Sequence, residues 1–484
     1  MAETPTATSN RFPPQIPFII GNEACERFSF YGMRNILTIF LIDYLLKNVN
    51  PDEGARKQMA SSYYHLFMVG VYLFPLMGGY LADRFFGKYR VILWLSLVYV
   101  VGHACLAIFE KSPTGFYTGL FLIALGSGGI KPCVSAMVGD QFTAENSHLV
   151  KKVFAIFYWI INFGSFFASL TIPLVLRKST PAWAFGIPGI LMLIATIIFW
   201  AGKRYYVMVP PMGKSPHSFM AVVFSALGNL KNRAPGGDWL SGARAKHPEE
   251  ALEGVRAVLR ISFFLLPTVP FFWMLFDQKG STWVIQARAM DPQVGAFKFE
   301  PSQMQFINPL LVMMLIPLLT GIIYPAIKRT GWEFTPLRRM PLGLMVGALS
   351  YVIAGYYQVR IERGDTLNIA WQAIPYVVLT LSEILVSTTG LEFAYTQAPR
   401  QMKSVVQSVW LLTTAIANLA VAAVIKTLNI SISSGVFFGY AGMALLAGIA
   451  MALMARRFKV RDYYQHVAPI PVGEHAGPGL GPKA

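Results

Sequence analysis

A chain of 484 residues with 54% hydrophobic and only 13% charged side chains is far from an ordinary soluble domain, where roughly a quarter of residues are charged. Its apolar residues fall in blocks such as 91–109, 185–200 and 436–454, long enough for helices that cross a bilayer in about 20 residues. The formal charge of +17 does not imply nucleic acid: much of the basic excess sits in segment 203–260 and at Arg456, Arg457, Lys459 and Arg461, the bias of cytoplasmic loops.

Twelve spans are expected at about 16–46, 58–83, 88–109, 115–139, 150–176, 183–208, 253–278, 302–328, 337–358, 370–397, 404–427 and 434–456. Six helices, a long polar loop and six more helices imply an all-α integral membrane protein built of two similar halves. The expected units are an N-terminal six-helix bundle (1–208), a cytoplasmic linker (209–252), a C-terminal bundle (253–458) and a disordered tail (459–484). The polar N-terminal stretch 1–15 lacks the pattern of a signal peptide, and both termini are expected in the cytoplasm.

The first span carries Glu23, Glu26, Arg27 and Arg34. Spacings of three, four and seven put them on one helical face, and a charge near the bilayer centre costs a few kcal/mol or more, so each is a functional candidate. His65 in the second span follows Tyr63 and Tyr64, with Tyr72 two turns deeper; a lone His is more often a packing residue, although its titration range suits a proton carrier. In the fourth span Lys131 stands beside Gly128, Gly129 and Pro132, where snorkelling to the cytoplasmic side is the alternative to a cavity position.

Cys25, Cys105 and Cys133 lie in apolar runs without ligand spacing and read as core residues, so neither metal nor cofactor is expected. Between the halves, Phe219, Val222, Val223, Ala226, Leu227 and Leu230 recur at helical spacing, as in a short interfacial helix. Lys231–Glu250 reads as a mobile linker. The seventh span ends near Asp277, and the tenth carries Glu383 and Glu392. Nine residues at 100° each amount to half a turn, so these two glutamates face opposite ways in a regular helix and only one shares a central cavity easily.

Three motifs, in order, resemble the proton-coupled oligopeptide transporters, a branch of the major facilitator superfamily. They are Glu23-Ala-Cys-Glu26-Arg27-Phe-Ser-Phe-Tyr31-Gly, Gly78-Gly-Tyr-Leu-Ala-Asp83-Arg-Phe-Phe-Gly87 and Phe154-Ala-Ile-Phe-Tyr-Trp-Ile-Ile-Asn162. Further matches are Phe-Asp277-Gln-x4-Trp283, Asn308-Pro309 and Thr389-Gly-Leu-Glu392-Phe-Ala-Tyr-Thr-Gln-Ala-Pro399. The resemblance covers essentially the whole chain. It implies the major facilitator fold, and that Tyr31, Arg34, Tyr72, Lys131, Asn162, Asn308, Glu392 and Trp410 line a peptide site. It also implies an outer gate pair Arg34–Asp277 and an inner pair Lys131–Glu392. The loop between the halves is too short and polar for the two extra helices of many bacterial members. His65 matches a histidine typical of animal members.

The expectation is proton-coupled inward symport of di- and tripeptides through a cell inner membrane. Proton coupling would fall to Glu23, Glu26, Arg27, Glu392 and His65. A short peptide always presents an ammonium, a carboxylate and an amide, so Arg34 and Lys131 suit the carboxylate and Glu392 the ammonium, with Trp273 and Trp410 as adaptable walls. Nitrate or another small anion is the alternative cargo, against which the retained acidic residues argue. The seven His are scattered and no paired nucleophile and base is found, so an enzyme is not expected. Partners are the peptide, the proton and the bilayer, with no obligate protein partner and no nucleic acid.

Overall fold

The computed structural model describes residues 12–211, 213, 215–232, 237–428, 431–461 and 463. The N-terminal residues 1–11, linker residues 233–236 and, of the tail 459–484 expected to be disordered, residues 462 and 464–484 lie outside the described residues; contrary to that expectation, Arg461 pairs with Glu253 at 2.8 Å. The N-terminal half holds α1 (Ile16–Phe40), α2 (Glu53–Leu81), α3 (Lys88–Ile108), α4 (Pro113–Asp140), α5 (Val150–Lys178) and α6 (Pro181–Ala201). A short α7 (Phe219–Gly228) follows at the place expected for an interfacial helix.

The second half is more broken. It comprises α8 (Glu249–Leu265), α9 (Val269–Phe276), α10 (Thr282–Arg288), α11 (Ile307–Leu318), α12 (Tyr324–Arg329), α13 (Pro336–Glu362), α14 (Ala373–Glu383), α15 (Thr389–Thr396), α16 (Lys403–Leu428) and α17 (Ser434–Arg457). A small hairpin, β1 (Gln293–Val294) and β2 (Phe297–Lys298), turns at Gly295 with φ +58°. In a bilayer every backbone polar group must find its partner within the segment, which leaves the helix as the economical span. Ser112-Pro113 and Thr180-Pro181 start α4 and α6: each hydroxyl accepts from a first-turn N–H, and each proline sits where its missing N–H costs nothing.

Among the described residues, ten helices are long and apolar enough to cross a membrane, and an eleventh span arises if α8 and the segment Val269–Arg288, bent by 50°, count as one. The bend has a local cause. Pro267 cannot continue the helix, and the hydroxyl of Thr268 donates to the Phe264 carbonyl at 2.9 Å. Helix α1 has 25 residues, but it carries Glu23, Glu26, Arg27 and Arg34, all buried.

Two apolar cores form, one within residues 16–206 joined by Ile285, the other within 222–451. Because lipid is as apolar as leucine, such helices associate through close packing at small residues. A Cβ on Gly78 of α2 would lie 2.2 Å from the Gly128 carbonyl oxygen of α4, and one on Gly102 of α3 would lie 2.9 Å from the Gly119 oxygen. The halves are tied at the end where α1 and α5 finish and α2 begins. Arg288 pairs with Asp43 at 2.7 Å, Arg177 with Glu300 at 2.7 Å, and the Thr38 hydroxyl donates to the Gly280 carbonyl at 2.6 Å.

Candidate functional site: charged residues between the halves

Spacing along α1 delivers what the sequence implies. Arg27 Nε bonds Glu26 and lies 3.2 Å from Glu23 Oε1, so the triad is neutralised largely within one helix. Glu26 is fully buried and keeps Oε1 without a partner. Two turns on, the Arg34 guanidinium carbon lies 5.2 Å from the centroid of Tyr31 and 5.9 Å from that of Phe30. Lys131 brings its ammonium 4.3 Å from the Tyr72 centroid and 4.7 Å from that of Phe30. The two cations are held on aromatic faces, an arrangement worth about 2 kcal/mol or more when desolvated, and neither forms an ion pair among the described residues.

The expected Arg34–Asp277 gate pair is not a direct contact. Asn418 Nδ2 donates to Asp277 Oδ2 at 2.7 Å, while Asp277 Oδ1 and Arg34 Nε remain without partners. Asn418 of α16 instead occupies one oxygen of that carboxylate. Asn418 also accepts from His65 Nδ1 at 2.7 Å, and His65 Nε2 lies 2.9 Å from Ser281 Oγ. His65 therefore stitches α2 to both α16 and the segment after Asp277. Ser281 has one proton, and Gln278 Oε1 lies 3.0 Å from its oxygen. That proton serves Gln278 when the ring is charged and His65 when the ring is neutral.

Lys131 and Glu392 form no ion pair among the described residues: Lys131 is half-buried, whereas Glu392 is exposed. The carboxylate that joins the cavity network is Glu383. It accepts from Asn308 Nδ2 at 2.7 Å; the same amide lies 3.0 Å from Thr380 Oγ1, and Asn308 Oδ1 accepts from Lys279 Nζ at 2.5 Å. Spacing allowed only one of the two glutamates to share the site, and one does; the choice of Glu392 came from the resemblance. Lys279 lies just past the expected end of its span at 278, yet the chain continues through Asp277–Gly280 into α10, and Lys279 is only 4% exposed.

Asn162 donates back to the Tyr158 carbonyl of its own helix at 2.9 Å. An aromatic series crosses the gap between the halves: Tyr72 lies 6.4 Å from Trp273, and Trp273 lies 6.3 Å from Trp410, centroid to centroid. Trp410 sits over Gly390, where an added Cβ would come within 2.6 Å of the indole. The region between the halves thus carries Arg34 and Lys131 on one side, the Glu383–Asn308–Lys279 network on the other, and aromatic side chains between.

This fold defines a membrane-embedded protein of the major facilitator type. The POT family model matches residues 89–435, and the chain belongs to the POT family. It is 40% identical over 371 residues to Peptide transporter 3 of Caenorhabditis elegans, covering 72% of this chain and 51% of that one. It is 35% identical over 412 residues to human Solute carrier family 15 member 2, covering 80% and 55%. The chain spans about half the length of these curated relatives. Crystal structures of an auto-inhibited POT family peptide transporter (47% identity, TM-score 0.85, 93% of this chain and 98% of that one) and of the POT family transporter PepTSo (46%, 0.86, 94% and 99%) share the architecture.

Proposed function

We propose that the chain moves di- and tripeptides together with protons into the cell by alternating access, with α1 as the twelfth span and both termini in the cytoplasm of a cell inner membrane. One observation carries the reading: unpaired Arg34 and Lys131 face a carboxylate–amide network across an aromatic-walled gap. That charge pattern fits the zwitterionic backbone that all short peptides share, and leaves side chains unread. The relatives named as peptide transporters support the same cargo. Arg34 and Lys131 take the carboxylate, Tyr31 and Tyr72 hold those cations in place, and Asn162 and Asn308 serve the amide and termini. Glu383, rather than the exposed Glu392, takes the ammonium.

Protons act through the carboxylates and His65. Desolvation favours the neutral form of a carboxylate that loses its partner, so opening a gate and binding a proton become one event. The tie between the halves at Arg288, Arg177 and Thr38 closes the outer face. No cofactor other than the coupling proton enters this reading.

Uptake of labelled dialanine by proteoliposomes under an inward proton gradient tests it. N-acetylation or C-amidation of a competing peptide is expected to weaken competition by a factor of about ten to a hundred, the loss of one charge-assisted contact of roughly 1.5–3 kcal/mol. Equal competition by a doubly blocked peptide refutes the site, and absence of any gradient-dependent peptide uptake refutes the function.

A further inference from the structure

The carboxylate of Glu383 needs two different neutralising partners during a transport cycle. On the loaded crossing, a peptide ammonium or a proton supplies the positive charge. On the return crossing neither is present, and an ionised carboxylate moved through a dry cavity without a partner costs several kcal/mol. The protein holds a cation suited to that step. Lys279 Nζ lies 3.4 Å from the centroid of Phe276 and donates to Asn308 Oδ1, while the other end of the same amide donates to Glu383. Asn308 thus sits between a buried ammonium and a half-buried carboxylate, its dipole aligned with both, and transmits the neutralisation of one by the other. Thr380 Oγ1 accepts from the same amide nitrogen, which fixes the orientation of the relay.

Resting on the peptide–proton reading above, we propose that Lys279 is a tethered substitute for the peptide's ammonium, a positioning residue that neutralises Glu383 through Asn308 so that the carrier returns without cargo. The ligand and the lysine then compete for one carboxylate. Peptide binding releases Asn308 from Lys279 only by replacing its charge, so Lys279 weakens binding and speeds the return. Lysine suits this task because its ammonium is a compact point charge on a flexible stem, able to swing away when displaced. The neighbouring acid Asp277 is held by Asn418, and Arg34 belongs to the other half, which leaves Lys279 as the cation bonded into the Glu383 network among the described residues.

The test separates net uptake from exchange in proteoliposomes, because exchange uses only loaded crossings. Lys279→Gln keeps a donor for Asn308 and removes the charge. Its net gradient-driven turnover is expected to fall at least about tenfold, as for a buried charge deprived of its counter-ion, while exchange of internal for external peptide stays within a few-fold of wild type and KM falls. Lys279→Arg, which restores a charge, is expected to recover part of the net turnover. In Lys279→Gln/Glu383→Gln no carboxylate needs neutralising, so downhill equilibration is expected to return although accumulation does not.

Wild-type net turnover in Lys279→Gln overturns the proposal, as does a parallel loss of net uptake and exchange in folded protein. If Lys279→Gln does not fold, the double variant carries the test, and failure of folded double variant to equilibrate peptide overturns it. Absence of peptide exchange in the wild-type protein instead refutes the peptide reading itself.

Discussion

The two halves of the cavity manage buried charge in opposite ways. In the N-terminal half, Arg27 meets Glu23 and Glu26 directly and within α1. In the C-terminal half, each carboxylate is reached through an amide: Asn418 stands at Asp277, and Asn308 between Glu383 and Lys279. Direct pairs in a low dielectric are hard to separate, since removing one partner strands the other. An amide relay passes on part of the field and is broken by rotating one side chain. The N-terminal cluster is therefore suited to structure, and the C-terminal networks to switching.

The contrast is most sharply broken at Arg27. Arg27→Met leaves two buried carboxylates without a cation and is expected to destabilise the detergent-solubilised protein by about 3–5 kcal/mol, read as a large drop in its thermal unfolding midpoint. A midpoint unchanged from wild type would mean that α1 does not depend on its internal pairing.

A smaller effect is expected at the switching side, and it distinguishes the two glutamates of the tenth span. Glu383→Gln is expected to abolish accumulation against a gradient while part of the exchange survives, with little loss of folding, because the amide still meets Asn308. Glu392→Gln, at an exposed position, is expected to accumulate peptide nearly as wild type does. The reverse pattern in paired uptake and exchange assays would return the ammonium site to Glu392.

The smallest change is expected at His65. A Gln there can satisfy Asn418 or Ser281 but not both, losing one net hydrogen bond of about 1 kcal/mol across the tie between the halves. Turnover is expected to fall several-fold, and its dependence on external pH to flatten, because the choice that Ser281 makes between His65 and Gln278 is lost. An unaltered pH profile at wild-type turnover would reduce His65 to packing.

Much of the fold was legible because its signals are local: apolar runs of bilayer length give spans. The α1 cluster was legible for the same reason, since three and four residues make one helical face. The C-terminal site was not, because Lys279, Asn308 and Glu383 come from three segments and meet only in the folded protein. The outer gate was half legible: Arg34 and Asp277 are both buried in the structure, but nothing in either span announces that Asn418 intervenes.

The contact of Gly78 with the Gly128 carbonyl has a mechanical consequence. With backbone against backbone at that point, α2 and α4 have no side chain between them to compress or re-pack. Lys131 lies three residues beyond Gly128 and leans on Tyr72, six residues before Gly78. Gly78→Ala is thus a wedge driven into a welded joint. While the joint holds, the ammonium keeps its aim between the halves.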